Sequence, residues 1–552
     1  MDEQKNAPKL RSGERGKSTE KIAEINREFK ERDIKTRAKK EGTKYIDLKN
    51  SPINHDAIQL TTWSEVEKRQ AVPFEIAGRT LHVACVDPQS GPAQELINRL
   101  IQQGYQVESY VCSPEGIQSV KRYFDQVMRQ EPIVLQKTVE EGNIPTDWKA
   151  LLNEKKKVYE KASGPEMMNT LNLQATQFKA SDIHFQPEED QVVMRMRRDG
   201  LLYEVLSISN KQFQMLSSEI KRAAGIKINI QQTPQDGEYQ YEVNNRRIGV
   251  RVSTLPTQYG ESIVLRILDA QNAMVDINQL GFTDYQKTLI VDQLKKETGL
   301  ILVTGPTGSG KTSTLYSCIH AINTPEKKII TLEDPIEFEI HNVTQSEIVE
   351  EEGYTFAMGL RHVLRQDPNV IMVGEIRDKD AAEIAFQAAL TGHMVLSTVH
   401  SNDAVLTIPR LLNIGVKPYI LALGLEMVIA QRLVRRLCQS CRTPAQISEA
   451  ERADIDQVKA SLASKGITIP EEQIFNAKGC DECHGEGYNG RMVMAEILKI
   501  NEAIRRSVLA GESAEQIVAI AEKEGYIRIK EDGVLKVLQG LTTLQEVWKG
   551  LV

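Results

Sequence analysis

The sequence is poor in cysteine, lacks a long uncharged hydrophobic run and carries fewer basic than acidic residues. Only 7 cysteines occur among 552 residues, which argues against a disulfide framework and favours a reducing compartment. The first residues, MDEQKNAPKLRSGERGKSTEK, are polar throughout and predict no signal segment. The most apolar long stretch, YILALGLEMVIAQRLVRRL, contains Glu426 and turns basic at Arg432, so we expect a buried amphipathic helix and no membrane span. The net charge of −7 argues against a dedicated nucleic-acid binder.

The length of the chain predicts three or four domains, because 552 residues exceed one hydrophobic core. Residues 1–33 are rich in charge and predict a flexible arm. Alternating helix and strand patterns predict a first α/β domain over 34–125, followed by a polar linker over 126–165. A second α/β domain is expected over 166–274. Strands alternate with helices over 275–552, which predicts a doubly wound, mostly parallel sheet.

The strongest chemical signal is a glycine-rich loop between an apolar strand and a helix, in GLILVTGPTGSGKTSTLYSCIHAI. It fits G-x-x-x-x-G-K-S/T in the strand–loop–helix context that a phosphate-binding loop requires. The glycines let backbone N–H groups surround phosphates, Lys311 would reach the β- and γ-phosphates, and the Thr312 hydroxyl would ligate Mg²⁺. The predicted nucleotide-binding residues are Gly305, Pro306, Thr307, Gly308, Ser309, Gly310, Lys311, Thr312 and Ser313.

Two acidic clusters follow this loop at the ends of predicted strands. KKIITLEDPIEF carries Glu333, Asp334 and Glu337, and DPNVIMVGEIRD carries Glu375. The carboxyl ends of parallel strands converge on one crevice, so both clusters could face the γ-phosphate. One carboxylate would orient or deprotonate water while others hold Mg²⁺. Either cluster alone could equally be a solvated strand end.

Two histidines flank a further strand in LTGHMVLSTVHSNDA. His393 precedes the strand and His400 closes it. A lone histidine at a strand end is more often a hydrogen-bonded structural residue than a catalyst. The spacing matches no common zinc pattern, so we interpret the pair as phosphate or water sensors.

Together these segments resemble the ATPases that power type II secretion and type IV pilus assembly. The resemblance rests on the phosphate-binding loop, LEDPIE (the Asp box, 332–337), LRQDPNVIMVGEIRD (the Walker B segment) and TGHMVLSTVHSNDA (the His box, 391–404). Upstream, ASDIHFQP, RMRRDG, TPQDGEY and RVSTLPTQYGESIVLRIL match the second N-terminal domain of that family. The resemblance covers about residues 180–552, and residues 34–124 resemble the first N-terminal domain only loosely.

The resemblance implies a RecA-like P-loop ATPase domain with additional N-terminal α/β domains, the second of them PAS-like. It implies a homo-hexameric ring with ATP between subunits, and it places the catalytic glutamate at Glu375. Arginines of the second domain then approach the γ-phosphate and offset its charge. The positions that match this role are Arg251 and Arg266, with Arg195 and Arg197 as further candidates; each could instead be a surface arginine paired with a carboxylate.

Four of the seven cysteines form two C-x-x-C pairs, Cys438 with Cys441 and Cys480 with Cys483. Four soft ligands suit tetrahedral Zn²⁺, and the polar stretch ISEAERADIDQVKASLASKG predicts a helical excursion between the pairs. We expect a structural zinc subdomain over about 436–490. His484 is not expected to be a ligand. Cys85, Cys112 and Cys318 lie in apolar contexts that predict core residues.

The sequence therefore predicts a cytoplasmic, Mg²⁺-dependent ATPase that drives type IV pilus assembly by extracting pilin-like subunits from the inner membrane. The expected partner is a polytopic inner-membrane platform protein, which would hold the enzyme at the cytoplasmic face of that membrane; no nucleic acid is expected. A type II secretion ATPase remains the alternative, because the motor motifs are shared. A retraction motor is disfavoured by the extra N-terminal domain and the tetracysteine, and a DNA translocase by the acidic charge.

Overall fold

The structure, a computed structural model, describes most of residues 31–121, the short stretches 133–134 and 159, and residues 162–551 except 270–275 and 351–352. These residues form two compact units, which divide between residues 131 and 132. The predicted arm over 1–33 and the predicted linker over 126–165 lie almost wholly outside the described residues. Within the described ranges, no helix is both long enough and apolar enough to cross a lipid bilayer.

The first unit is an α/β domain with a four-stranded sheet. Its elements are β1 (Lys44–Tyr45), α1 (His55–Ile58), α2 (Trp63–Arg69), β2 (Ala71–Ala77), β3 (Thr80–Cys85), α3 (Gly91–Gln102), β4 (Gln106–Val111) and α4 (Pro114–Ser119). The strand order is β1-β4-β3-β2, parallel except for the antiparallel β2–β3 pair. Apolar cores cover both faces of the sheet, and they bury Cys85 and Cys112 as predicted.

The second unit begins with a seven-stranded, mainly antiparallel sheet and two helices. The elements are β5 (Ile133–Val134), α5 (Gly164–Phe178), β6 (Asp182–Pro187), β7 (Gln191–Arg198), β8 (Leu201–Ser209), α6 (Asn210–Ala223), β9 (Gln235–Val243), β10 (Arg246–Thr257) and β11 (Gly260–Asp269). The strand order is β5-β9-β10-β11-β6-β7-β8. Apolar residues of α5 and α6 share one core with alternate residues of the strands, so the other face of the sheet is left for polar side chains.

The remainder of the unit is built on a second seven-stranded sheet, in the order β14-β13-β15-β16-β12-β17-β20. Its strands are β12 (Gly299–Thr304), β13 (Ile329–Glu333), β14 (Val343–Glu347), β15 (Val370–Val373), β16 (Met394–Val399), β17 (Leu425–Leu437) and β20 (Tyr488–Lys499). Its helices include α7 (Asp284–Leu294), α8 (Lys311–Ile322), α9 (Phe356–Val363), α10 (Lys379–Leu390), α11 (Thr407–Ile414) and α12 (Pro418–Gly424).

The sheet is parallel from β14 to β17 and ends in an antiparallel pair, β17 with β20. Leu300 and Leu302 of β12 belong to one apolar core, while Ile301 and Val303 belong to another. Successive residues of a strand point to opposite faces, so helices cover both faces of this sheet. The prediction of a doubly wound, mostly parallel α/β sheet is confirmed.

The prediction of one amphipathic helix for YILALGLEMVIAQRLVRRL is wrong. The helix α12 ends at Gly424, and residues 425–437 form β17, which pairs with both β12 and β20. Residues 425–430 are buried apart from Glu426, which receives hydrogen bonds from Gln293, Lys296 and Arg505. A strand that is buried on both faces shows a continuous apolar run, and such a run cannot be told from a helix by periodicity alone.

A smaller subdomain surrounds the cysteines beyond β17. It contains the short pair β18 (Thr443–Pro444) and β19 (Phe475–Asn476), and the helix α13 (Glu449–Ser464), which is the predicted excursion between the C-x-x-C pairs. The chain then returns through β20 and ends in α14 (Glu502–Ala510), α15 (Ala514–Lys523), α16 (Ile529–Leu538) and α17 (Leu544–Leu551). Apolar side chains of α13, α16 and α17 pack together with β17 and β20.

Candidate functional site

The phosphate-binding loop lies between β12 and α8, as the sequence predicted. Gly305, Gly308 and Gly310 have φ angles of +145°, +78° and +85°, a region that favours glycine. A Cβ on Gly305 would lie 2.5 Å from the carbonyl oxygen of Gln431, so no side chain fits there. Pro306 and Thr307 are exposed at the loop, and Thr312 and Ser313 lie in the first turn of α8.

Lys311 folds back onto this loop. Its Nζ donates hydrogen bonds to the carbonyl oxygens of Gly305 at 2.9 Å and Pro306 at 3.2 Å. Burial lowers the pKa of Lys311, with a further lowering by the nearby charge of Arg432, while the Glu375 carboxylate opposes the shift. The amine is therefore held at the loop, in the electrostatic reach of both an acidic and a basic group.

Gln431, which no sequence motif indicated, fixes the loop from the neighbouring strand β17. The residue is fully buried; its Nε2 donates to the carbonyl oxygen of Ser309 at 2.7 Å, and its Oε1 accepts from the Thr314 hydroxyl at 2.9 Å. Thr304, at the end of β12, connects this strand to the end of β16. Its hydroxyl donates to the Val399 carbonyl oxygen and accepts from the Ser401 N–H. The only sequence signal for Gln431 was an uncharged polar residue inside an apolar run.

Glu375 follows β15 at the same edge of the sheet. One of its oxygens pairs with Arg377, and Oε2 lies 3.4 Å from Nε2 of His400 in the His box. Arg377 also reaches Oδ2 of Asp334 at 3.2 Å, and its ion pairs, above all the hydrogen bond to Glu375, raise its pKa. Arg377, which no sequence motif indicated, therefore joins the Walker B segment to the Asp box, and Glu375 in turn contacts the His box through His400.

The other histidine is placed differently. His393 precedes β16, and its Nδ1 lies 3.1 Å from the carbonyl oxygen of Ala388. Its own carbonyl accepts from Gly299 N, at the start of β12, whereas the phosphate-binding loop follows the end of β12. His393 and His400 therefore occupy opposite ends of one strand, and only His400 lies at the phosphate-binding edge.

The acidic residues of the Asp box divide into two environments. Glu333 is 3% exposed, and its carboxylate accepts hydrogen bonds from Tyr316 of α8, from Thr331 at 2.5 Å and from Gln345 of β14 at 3.1 Å. Asp334 is exposed and Glu337 is half-buried. The contacts of Glu333 thus favour a positioning role, in which the carboxylate ties the helix that follows the loop to the strands beside it.

Replacing Glu333 with Gln is therefore expected to lower the free energy of unfolding by about 1–3 kcal/mol, because charge-assisted hydrogen bonds in a buried site are lost. Chemical denaturation would measure this. Glu347→Gln is the matched control, since Glu347 pairs with Glu333 across β13 and β14 but is exposed. A Glu333→Gln chain that unfolds normally yet does not hydrolyse ATP would instead assign Glu333 to the chemistry.

The four candidate arginines have different partners. Arg251 on β10 donates to Glu337 Oε2 at 3.2 Å and to the Ile336 carbonyl oxygen at 2.6 Å, so it contacts the Asp box. Arg266 and Arg197 both pair with Asp182, each at 3.3 Å. Arg195 lies on β7 opposite Glu204. The structure thus places Arg251 against the Asp box. Arg266, Arg197 and Arg195 instead face partners within their own antiparallel sheet.

The four cysteines form a single cluster. Their sulfur atoms all lie within 4.8 Å of one another, with Sγ–Sγ separations of 3.7 Å for Cys441–Cys483 and Cys480–Cys483. All four are free thiols. Burial raises the pKa of Cys438 to about 12 and also raises that of Cys441. Burial acts in the same direction on Cys483, but N–H groups of Cys480 and Gly487, each 3.1 Å from its sulfur, hold the pKa below its usual value.

This donor set fits a tetrahedral thiolate site. Four sulfur atoms within 4.8 Å of one another, with backbone N–H groups donating to one of them, provide four soft ligands and an outer shell of hydrogen bonds. His484 follows the last cysteine in a left-handed conformation, φ +54°, and it is not among the clustered groups.

Comparison with known proteins agrees with this arrangement. The sequence model described as "Type II/IV secretion system protein" matches residues 159–549, and that of the MshEN domain matches residues 41–130. The chain is 35% identical to the type IV pilus assembly ATPase PilB of Myxococcus xanthus over 517 residues, which is 92% of this chain and 89% of the relative. It is 42% identical to the type II secretion system protein E of Aeromonas hydrophila over 381 residues, 69% of this chain and 74% of that one.

The ATPase DotB of Yersinia pseudotuberculosis has a similar fold, with a TM-score of 0.53 and 21% identity over 76% of this chain and 98% of DotB. The matched family covers more than half of the chain, and it includes both the antiparallel sheet domain and the domain with the phosphate-binding loop. The chain therefore belongs to the type II/IV secretion system protein family and is an ATPase.

Proposed function

We propose that this chain hydrolyses MgATP to power type IV pilus assembly, by driving the extraction of pilin-like subunits from the inner membrane. The observation that carries the proposed hydrolysis is the meeting of Glu375, His400 and Arg377 at the edge where the phosphate-binding loop lies. Pilus assembly is preferred to type II secretion because the match to the pilus ATPase spans 92% of the chain, whereas the match to the secretion protein spans 69%.

In this proposal the loop residues 305–313 bind the phosphates of ATP. The Thr312 hydroxyl and the carboxylates of Asp334 and Glu337 would hold Mg²⁺, which neutralises phosphate charge when bound. Glu375 orients and deprotonates the attacking water, and His400 holds the other carboxylate oxygen in place. Lys311 and Arg251 balance the charge that develops on the transferred phosphoryl group.

The cysteine cluster would hold one structural Zn²⁺. Four thiolates close the coordination sphere, so the ion would stabilise the local fold and leave no open position for catalysis. Its proposed role is to shape the protruding subdomain around residues 436–490, which a partner could contact.

The proposed assembly is a homo-hexameric ring in which nucleotide lies between subunits. The proposed location is the cytoplasm, against the inner membrane, where a polytopic platform protein would hold the ring. The net charge of −7 supports a protein partner rather than a nucleic acid. ATP hydrolysis that is stimulated by DNA in a salt-sensitive manner would instead favour a translocase.

Deleting the gene in its own host is expected to remove surface pili, as counted by electron microscopy. The unaltered gene should restore them, and Lys311→Ala should not, because the loop loses the cation that reaches the β- and γ-phosphates. Normal pili after deletion would move the function to secretion, and an excess of pili would indicate a retraction motor.

A further inference from the structure

One cation at the phosphate-binding edge has no role among the motifs above: Arg432 on β17. Ala430 of this strand pairs with Thr304, the last residue of β12. Arg432 therefore lies beyond the end of β12, level with the loop that follows it. Side chains alternate along a strand, so Arg432 points to the face opposite Gln431, which holds Ser309 and Thr314.

The Arg432 guanidinium lies between two loops of the site. Nη1 donates to the carbonyl oxygen of Gln431 at 3.1 Å, and Nη2 donates to that of Asn402 in the His box at 3.1 Å. The Gln431 oxygen is the same atom that would contact a Cβ on Gly305. Two neutral carbonyls thus orient the guanidinium beside the first glycine of the phosphate-binding loop.

No carboxylate pairs with Arg432 in the part of the chain that the structure describes. Asp403 and Glu496 attract it from a distance, but both are engaged elsewhere. Asp403 accepts from the Leu406 N–H at 2.6 Å, and Glu496 accepts from the N–H groups of Ala404 and Ile529 at 2.7 and 3.0 Å.

Burial lowers the pKa of Arg432, and Arg432 in turn lowers that of Lys311. Lys311 and Arg432 are thus within electrostatic reach of each other, both are partly withdrawn from water, and neither forms an ion pair with a carboxylate among the described residues. Partly buried cations that make hydrogen bonds only to neutral carbonyls are stabilised when an anion joins them. A guanidinium is suited to this anion because its planar fork matches the geometry of phosphate oxygens.

We infer that Arg432 is the second cation of the nucleotide site and binds the terminal phosphate of ATP. This inference rests on the proposed role of the loop 305–313 in nucleotide binding. The same guanidinium also donates to Asn402 of the His box. The His-box loop would therefore be held more or less firmly by Arg432 depending on whether ATP or ADP is bound.

The test is the affinity of the full-length chain for fluorescent ATP and ADP analogues in the presence of Mg²⁺. Arg432→Gln is expected to weaken ATP binding about ten- to a hundredfold, the range for a lost charged hydrogen bond, and ADP binding less than about threefold. Arg432→Lys should recover part of the loss, since charge remains but the fork is gone. Arg410→Gln is the control, because Arg410 is an exposed arginine of α11. This variant should bind both nucleotides with normal affinity.

Normal ATP affinity in Arg432→Gln, or an equal loss for ATP and ADP, would overturn the inference. The unfolding temperature of Arg432→Gln without nucleotide should match that of the unaltered chain. If Arg432→Gln does not fold, the Arg432→Lys variant is measured instead. An unchanged ratio of ATP to ADP affinity in Arg432→Lys then counts against the inference. The variant Lys311→Ala separates the two proposals. Unimpaired ATP binding in Lys311→Ala would contradict the proposed role of the loop. Loss of ATP binding in Lys311→Ala, together with normal ATP binding in Arg432→Gln, would contradict the role of Arg432 alone.

Discussion

Replacing Glu375 with Gln is expected to lower the turnover of ATP by about a hundredfold or more while ATP still binds. A positioned general base contributes roughly 10²–10⁴ to such a rate, and an amide cannot accept the proton of the attacking water. The binding residues are left in place, because Lys311 is held by the loop carbonyls and the loop by Gln431. Phosphate release at saturating MgATP and the affinity for a fluorescent ATP analogue measure the two effects separately.

Glu383→Gln is a suitable control for this variant. Glu383 lies on α10 and forms a surface ion pair with Lys379 at 3.7 Å, and such a pair contributes little. The Glu383→Gln variant should hydrolyse ATP at the normal rate. Turnover within about threefold of normal in Glu375→Gln would remove Glu375 from the role of base, because a general base contributes far more than this. Loss of binding together with turnover would show that the carboxylate acts mainly by holding Arg377.

The parallel sheet and the loop could be predicted because they depend on local sequence. Glycines at positions of positive φ, a lysine at the start of a helix and an apolar strand before them form one continuous stretch, 299–322. The two C-x-x-C pairs are equally local, and the helix between them has the sequence of an ordinary capped helix, with Ser448 and Glu451 forming its capping box.

The residues that sequence reasoning missed depend on contacts across the sheet. Gln431 and Arg432 act on the loop only because β17 pairs with β12, and that pairing was hidden by reading 425–437 as a helix. Arg377 contacts Asp334, which lies 43 residues earlier in the chain. The separation of His393 from His400, and the inward orientation of Glu333, likewise follow from strand direction and register, which no motif spells out.

Removing one thiolate of the cysteine cluster is expected to abolish metal binding and to unfold the surrounding subdomain. We expect about one zinc per chain in the unaltered protein, from one four-thiolate site, and none in Cys483→Ser. Cys483 is a suitable position because two backbone N–H groups donate to its sulfur, and its loop continues directly into β20. The apparent binding free energy of structural zinc, about 10–16 kcal/mol in small domains, is of the size of a whole folding free energy.

Elemental analysis measures the zinc, and hydrogen exchange over residues 438–490 measures the local unfolding. The matched control is Cys318→Ser, which alters another fully buried free thiol outside the cluster and should keep the zinc. The sheet that carries the loop 305–313 has its own apolar cores, so ATP should still bind to Cys483→Ser. Full zinc in Cys483→Ser, or none in the unaltered protein, would contradict the assignment. A subdomain that stays protected from exchange after zinc is lost would show that apolar packing of α13 against α16, through residues such as Ile455 and Leu462, suffices without the ion.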